Sequence, residues 1–345
     1  MRGQTRTRAW TLWFLMVGLV AISLFLMLQI LQATAVINGE KEDAGNGVQG
    51  HGALHVEGVT LTDSHGKAVQ LRGMSTHGIM WYPQYTNAGA FQTVREYGGN
   101  VVRLALYSDQ NLGYVYNPEE ATAALLMALE NALSQDLYAI VDWHVLQDED
   151  PNLHIDAALN LFTDVSKRYG NHPGILYEIC NEPNNSASWE SVTAYAQKVI
   201  PVIRQNAPDA VILVGTPNHC TDFSMPMEQP LPFKNIMYSF HQYTDTMDED
   251  SYKRIISEAL RRGLPLFVTE WGISNKTQNM EQALSTAETF LDYLDSQTIS
   301  WINWSLCNKN ERSAALSHEH DALSGWEKED FSPSGQFVFN RLGQE

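Results

Sequence analysis

Eight short apolar runs, most of them separated by helix-like stretches, dominate the sequence between residues 68 and 306. They fall at residues 68–74, 100–107, 137–144, 174–181, 210–216, 235–243, 265–271 and 299–306. Helix-like patterns occur at residues 90–97, 118–135, 156–169, 188–206, 249–262, 280–296 and 335–342, whereas the segment after the fifth run is irregular. Strands so rich in Val, Ile, Leu and Phe are typically covered on both faces, as in parallel sheets. Eight such units predict an α/β fold that closes into a (β/α)8 TIM barrel.

The main alternative is a doubly wound open sheet. It is disfavoured because no Gly-rich phosphate-binding loop follows the first strand. Before the barrel, residues 56–61 and 68–74 are joined across the polar stretch 63–66, which predicts an N-terminal hairpin leading into the first main strand.

The N-terminal residues predict a targeting element that precedes the folded domain. Arg2, Arg6 and Arg8 are followed by an uncharged stretch at residues 10–31, which as a helix would span about 33 Å, the thickness of a bilayer. We therefore interpret residues 1–34 as a signal peptide or a hydrophobic signal-anchor helix, and residues 35–52 as a flexible linker. The catalytic barrel is then residues 53–345. The protein is expected to be extracellular, either secreted or anchored to the cell surface.

Charge and cysteine content exclude several classes of partner. Lys and Arg total 22 against 40 Asp and Glu, and the net charge of −18 would repel nucleic acids. Cys180, Cys220 and Cys307 are too few and too scattered for a disulfide framework or a CxxC metal site. We expect a monomer without metal or cofactor, touching a membrane only through its N-terminal segment if that segment is uncleaved.

Polar residues collect at the carboxyl ends of the predicted strands, which is where barrel enzymes carry their function. They are His77, Arg103, Tyr107, His144, Asn181, Glu182, His241, Tyr243, Glu270 and Trp304. Two glutamates among Arg, His and Tyr suggest paired acid and base chemistry. We expect Arg103 and Tyr243 to keep one glutamate ionised while the other, with less support, stays protonated.

Glu270 is the candidate nucleophile and Glu182 the candidate acid/base. A carboxyl separation of about 5 to 5.5 Å would indicate a retaining glycosidase, and about 6.5 to 9.5 Å an inverting one. Trp81 and Trp304 lie in or near strand ends and are candidate platforms for sugar rings.

Seven short blocks, in order along the chain, resemble the signature blocks of glycoside hydrolase family 5, and most closely those of its bacterial endoglucanases. They are residues 71–77 (LRGMSTH), 102–107 (VRLALY), 142–144 (DWH), 177–183 (YEICNEP), 241–243 (HQY), 268–272 (VTEWG) and 301–304 (WINW). The resemblance extends from about residue 54 to the C-terminus. It implies retaining hydrolysis of β-1,4-glucan, with a polysaccharide as the partner.

The resemblance also implies roles for individual residues. Glu182 matches the acid/base and Glu270 the nucleophile, with Asn181 expected at the sugar 2-hydroxyl and Trp304 beneath the sugar next to the scissile bond. The surrounding catalytic support would be Arg103, His144, Asn181, His241 and Tyr243. Further substrate contacts would be His77, Trp81, Tyr107, Lys309 and Glu311.

The chain departs from the family pattern after the fifth strand. Residues 215–219 read GTPNH, placing His219 where the relatives carry Trp, so one contact on the leaving-group side is expected to differ. The alternatives left open are a mannanase, a lichenase or a xyloglucanase on the same barrel, and a non-catalytic glucan-binding barrel.

Overall fold

The computed structural model describes residues 45–170 and 172–344. Its centre is a closed barrel of parallel strands. These strands are β3 (Arg72–Thr76), β4 (Val101–Tyr107), β5 (Tyr138–His144), β6 (Ile175–Glu178), β7 (Ile212–Gly215), β8 (Ile236–Tyr243), β9 (Leu266–Gly272) and β10 (Trp301–Leu306). Their order around the barrel is β10-β3-β4-β5-β6-β7-β8-β9. Each lies within two residues of a predicted run at its start, except β3, which begins four residues late. The predicted (β/α)8 barrel is confirmed.

Amphipathic helices cover the outside of the barrel. They are α1 (Ala88–Glu96), α2 (Pro118–Ser134), α3 (Ile155–Tyr169), α4 (Trp189–Arg204), α5 (Glu249–Arg261), α6 (Met280–Ser296) and α7 (Pro333–Leu342). Their starts follow capping rules: the Ser188 hydroxyl accepts from the Ser191 amide before α4, and Asn279 does the same for Gln282 before α6. Two short helical turns, Pro217–Cys220 and Ser224–Glu228, account for the irregular segment after β7.

The N-terminal hairpin is smaller than the sequence suggested. Strands β1 (His55–Glu57) and β2 (Thr60–Thr62) pair with each other around Gly58, whose φ of +62° suits glycine at a tight turn. The predicted pairing of residues 56–61 with 68–74 is therefore wrong, apart from a single bridge between Thr62 and Ala68. The turn forms inside the predicted strand because Gly58, the third residue of that strand, reverses the chain.

The predicted linker also ends earlier than residue 52. A helical turn at Val48–His51 is held to the barrel, since the Gln49 amide donates to Asp136 Oδ1 at 2.7 Å. The predicted targeting element at residues 1–34, and the linker up to residue 44, lie outside the described residues. Within the described part of the chain, no helix has both the length and the apolar character needed to cross a bilayer.

The barrel interior changes from apolar to polar along each strand. An apolar floor at the amino-terminal end consists of Leu54, Leu61, Val69, Leu71, Val101, Tyr138, Ile140, Leu176, Val211, Leu213, Met237, Phe267 and Ile302. Because side chains alternate with period two, the next inward position on β5 after Ile140 is Asp142, and on β6 after Leu176 it is Glu178. The polar site thus stands on a packed floor and opens only at the carboxyl ends of the strands.

Candidate active site

Glu182 lies just beyond β6, at the top of the barrel. The strand ends at Glu178, but the chain continues extended: the Asn181 amide donates to the Trp143 carbonyl at 3.1 Å, and the Glu182 amide to the Val145 carbonyl at 3.1 Å. These bonds hold the backbone of Glu182 to the end of β5. Its side chain is largely buried but lines the open cleft.

Glu270 lies on β9, and its strand register pairs it with His241 on β8. Both oxygens of its carboxyl group have partners: Oε1 accepts from the Tyr243 hydroxyl at 2.6 Å, and Oε2 from Arg103 Nη1 at 3.1 Å. The carboxyl group is therefore oriented by two donors that retain their protons at neutral pH.

The two glutamates face each other across the cleft floor. One oxygen from each, together with a ring nitrogen of His241, lie within 4.8 Å of one another. This spacing fits the separation of about 5 Å used by retaining glycosidases better than the wider gap that admits a water molecule in inverting ones.

Arg103 is the centre of the buried charge network beneath the two glutamates. Besides Glu270, it donates to Glu178 Oε2 at 2.6 Å and to Asn181 Oδ1 at 2.6 Å, and it lies 2.9 Å from Asp142 Oδ2. Burial opposes its charge, but the surrounding carboxylates outweigh burial and raise the pKa of the guanidinium. Arg103 therefore supplies a permanent positive charge below the cleft.

Asp142 and His144 form a second pair on β5, with His144 Nδ1 2.7 Å from Asp142 Oδ2. Burial raises the pKa of Asp142 to about 7, with Arg103 opposing the shift. Burial, followed by the positive charge of Arg103, lowers the pKa of His144 to about 3. His144 is thus a neutral ring in the cleft wall, and its Nε2 faces the Asn181 amide group at 3.5 Å.

Glu182 is held between two histidines. His241 Nδ1 lies 2.8 Å from its Oε1, and His219 Nδ1 lies 2.9 Å from its Oε2. Burial raises the pKa of Glu182, but the contacts with His219 and His241 outweigh burial and hold it well below the ordinary value. The expectation that Glu182 would be the less supported, protonated carboxyl is therefore wrong for the free protein, because His219 adds a partner that the sequence did not reveal.

Aromatic rings line one wall of the cleft, which has a volume of about 550 Å³. Trp304 stacks on His144 at a ring-centroid distance of 5.3 Å and an interplanar angle of 17°. Trp81 packs against Tyr107 at 4.9 Å, and Tyr107 lies 4.2 Å from the His144 ring. These rings form a continuous apolar surface beside the two carboxyl groups, which is suited to the C–H faces of sugars.

His77, Lys309 and Glu311 lie together at one end of this wall. Lys309 Nζ is 3.0 Å from His77 Nε2 and 2.7 Å from Glu311 Oε2. Burial and the charge of Lys309 lower the pKa of His77 to about 4, so its ring is neutral. His77 and Lys309 line the cleft, whereas Glu311 lies behind Lys309 and lines a neighbouring depression.

The structure brings all the predicted site residues to one end of the barrel, and it adds others that the sequence analysis missed. Asp142 and Glu178 had a detectable signal, since each lies two residues along its strand from an apolar floor residue. Gln110 and Gln147 line the cleft from loops, where no periodicity marks them. Within the described ranges, the group that could hold a metal ion is Glu182, His241 and Glu270, and all three are engaged in the hydrogen bonds described above.

Comparisons with known proteins agree with this geometry. A family profile described as cellulase (glycosyl hydrolase family 5) matches residues 62–310. An endoglucanase of Clostridium saccharobutylicum is 37% identical over 294 residues, which cover 85% of this chain and 65% of that protein. Endoglucanase A of Butyrivibrio fibrisolvens is 38% identical over 300 residues, covering 85% of this chain and 69% of that protein.

Solved structures show the same relation. The catalytic domain of Thermobifida fusca endoglucanase Cel5A superposes with a TM-score of 0.80 at 33% sequence identity, covering 86% of this chain and 99% of that domain. A GH5 cellulase from an Icelandic hot spring isolate also has a TM-score of 0.80, at 36% identity, with coverages of 86% and 96%.

Proposed function

We propose that this chain, which belongs to the glycosyl hydrolase family 5 cellulases, is an endo-β-1,4-glucanase that cleaves internal bonds of cellulose-type glucans with retention of configuration. The observation that carries this proposal is the pair of strand-end carboxyl groups, Glu182 and Glu270, whose nearest oxygens lie within 4.8 Å in an open cleft. The endoglucanase names of the relatives agree with it, although the chain spans only 65% of the first of them.

Glu270 is the nucleophile in this proposal. Its carboxylate attacks the anomeric carbon while the bond from that carbon to the leaving sugar oxygen breaks, giving a covalent glycosyl ester. Arg103 and Tyr243 hold the two carboxylate oxygens and direct the attack.

Glu182 acts first as an acid and then as a base. Its proton passes to the leaving sugar oxygen in the first step. In the second step it takes a proton from water, whose oxygen attacks the anomeric carbon as the ester bond to Glu270 breaks. Two inversions at the same carbon give a product with the configuration of the substrate.

The cleft wall provides binding and orientation. Trp304, beside the two glutamates, supports the sugar ring next to the scissile bond, and Trp81 with Tyr107 supports the chain further along. His77 and Lys309 offer polar contacts at that end. The Asn181 side chain is fixed by Arg103 through its oxygen and donates one amide proton to the Val145 carbonyl at 3.0 Å, which leaves its second amide proton for the sugar 2-hydroxyl.

Activity on defined polysaccharides tests the proposal. The purified protein should release reducing ends from carboxymethylcellulose and mixed-linkage β-glucan, more slowly from glucomannan, and the first product seen by proton NMR should be the β anomer. Glu182→Gln and Glu270→Gln should each remove most of the activity. No release from any of the three polymers, or an α-anomeric first product, would contradict it.

We further propose that the enzyme acts outside the cell. The basic N-terminal residues followed by the uncharged stretch 10–31 support export, with retention of that stretch giving a surface-anchored enzyme and cleavage near Ala35 a secreted one. N-terminal sequencing of the exported protein distinguishes the two. Finding the intact chain only in the cytoplasm would contradict export.

A further inference from the structure

The turn after β7 places His219 directly against the side chain of Glu182. Two backbones touch here: a Cβ atom on Gly215 would lie 2.4 Å from the Cys180 carbonyl oxygen and 2.5 Å from that of Asn181. Since no other residue fits at Gly215, the turn is pressed against the segment that carries Glu182. The His219 amide then donates to the carbonyl of Pro183 at 3.1 Å, which fixes the turn to the residue following Glu182.

The backbone of the turn is unusual and well supported. Asn218, His219 and Cys220 all have left-handed φ values, of +56°, +54° and +58°. The Cys220 amide donates to the Thr216 carbonyl at 3.1 Å, and the Cys220 thiol donates to the Asn181 carbonyl at 2.9 Å. This conformation turns the His219 ring back over the carboxyl group of Glu182.

The two oxygens of Glu182 differ in their surroundings. Oε1 faces His241, a buried ring whose other nitrogen lies 2.9 Å from the Thr269 hydroxyl, so this contact is rigid. Oε2 faces His219, whose side chain is 50% exposed. Of the two oxygens, Oε2 is therefore the one whose partner can move aside for a substrate, whereas Oε1 is held by a buried ring.

We propose that His219 is a positioning residue for Glu182, which holds the proton-exchanging oxygen and favours the ionised, base form of this carboxyl over the protonated, acid form. The inference rests on the proposed function, because it assigns a role within the acid/base steps. The hydrogen bond to Glu182 raises the pKa of the His219 ring, although burial opposes the shift, so the ring carries positive charge over a wider pH range than a free histidine.

The contact alternates during the reaction. The glycosidic oxygen of a bound glucan must reach Oε2, so His219 gives up that oxygen when the leaving group binds, and Glu182 then recovers its affinity for a proton. After the leaving sugar departs, His219 returns to Oε2 and favours the ionised form that activates water. One residue thus assists the change of Glu182 from acid to base.

The other titratable or charged groups around Glu182 come from four strands and from the turn that carries His219. They are Arg103 and Tyr107 on β4, Asp142 and His144 on β5, Cys220 in the turn after β7, His241 and Tyr243 on β8, and Glu270 on β9. Substitution of His219 leaves all of these groups in place. A change in the pKa of Glu182 in a His219 variant therefore reports the loss of the His219 contact.

The pH dependence of His219→Asn tests the proposal. Asn adopts left-handed backbone readily and its amide nitrogen can occupy the place of Nδ1, so the variant keeps a donor and loses the charge. The apparent pKa of the basic limb of kcat/KM, which reports loss of the acid proton of Glu182, should rise by about one unit. On dinitrophenyl β-cellobioside, hydrolysis of the ester limits kcat. The apparent pKa of the acid limb of kcat on this substrate should also rise. His65→Asn, a change at an exposed histidine near the N-terminal hairpin, should move neither limb.

Histidine NMR titration tests the pairing without any reference to activity. A histidine whose pKa is raised above that of a free histidine should disappear from the spectrum in His219→Asn, and its pKa should return to the ordinary value in Glu182→Gln. The inference is overturned if the rate of His219→Asn drops while the apparent pKa values of both limbs stay unchanged or fall. It is also overturned if the pKa of His219 is unchanged in Glu182→Gln. A wild-type protein that shows the titration shift but releases no sugar would instead refute the proposed function.

Discussion

The two glutamates differ in the kind of support that they receive. Glu270 is held by Arg103 and Tyr243, which keep their protons throughout the neutral range. Glu182 is held by His219 and His241, which can gain or lose a proton within it. A nucleophile must stay ionised, whereas an acid/base must change its proton twice in each cycle. The partner residues therefore separate the two proposed roles more clearly than the carboxyl groups themselves.

The largest effect on activity should come from removing either carboxyl group, and added azide should then show which role that group had. Glu270→Ala and Glu182→Ala should each lose roughly 10³-fold or more in hydrolysis. Azide replaces the missing nucleophile in the first variant and gives the α-glycosyl azide, whereas in the second it attacks the glycosyl ester and gives the β azide. Product NMR distinguishes them, and Glu119→Ala, at an exposed position on α2, should behave as wild type. Exchanged product configurations would reverse the assignment of the two roles.

Arg103→Met should destabilise the fold most strongly. It leaves Asp142 and Glu178 buried without their positive partner, and breaking a buried ion pair costs about 3 to 5 kcal/mol of unfolding free energy. Denaturant unfolding measures the loss. Arg261→Met, which removes only the solvent-exposed pair with Glu258, should change the free energy of unfolding far less, because water screens that pair. Equal effects would show that the buried network contributes no more than a surface pair.

Tyr243→Phe should lower kcat by roughly tenfold to a hundredfold, because it removes one hydrogen bond to a charged carboxylate. Burial and the charge of Glu270 raise the pKa of Tyr243, so the loss should persist under alkaline conditions. Steady-state kinetics at pH 7 and pH 9 measure it. The control is Tyr177→Phe, since that hydroxyl has no hydrogen-bond partner within the described part of the chain. A similar loss in both variants would indicate a packing effect.

The smallest effect should be the change that Glu182→Gln makes to the free energy of unfolding and to its dependence on pH. Because the folded pKa of Glu182 is depressed, its ionisation stabilises the fold above its unfolded pKa of about 4.5, and this contribution is lost as pH falls below that value. Glu182→Gln should therefore be less stable than wild type at pH 7 by about 1 kcal/mol. The difference should narrow as pH falls below 4.5 in paired unfolding curves. A gap that stays constant with pH would show that the charge of Glu182 contributes no stability.

The barrel could be predicted from sequence because its strands are buried on both faces and therefore appear as uninterrupted apolar runs. Strand ends were also predictable, and with them the placement of Glu182 and Glu270. The hairpin was misplaced because a single glycine, Gly58, reverses the chain inside a run that otherwise looks like one strand.

The partners of the two glutamates were only partly predictable. Arg103 and Tyr243 were expected beside one carboxyl group because both lie on strands and point inward. The contact between His219 and Glu182 depends on three successive left-handed residues and on the close approach at Gly215, and neither leaves a periodic trace in the sequence. Asp142 and Glu178 could have been found by following the alternation of each strand upward from the floor.

The position of Arg103 also links catalytic competence to ring closure. Its guanidinium joins side chains from β5, β6 and β9, and it lies 3.3 Å from Ser75 on β3, so its partners come from strands far apart in the chain. During refolding, the Glu270 carboxylate on β9 acquires its contact with Arg103 on β4 only when these two strands have been brought together, and β10 and β3 lie between them in the closed ring. Recovery of hydrolytic activity should therefore lag behind the return of the helical circular-dichroism signal. It should coincide with closure of the barrel, so the rate at which activity returns measures the last step of folding.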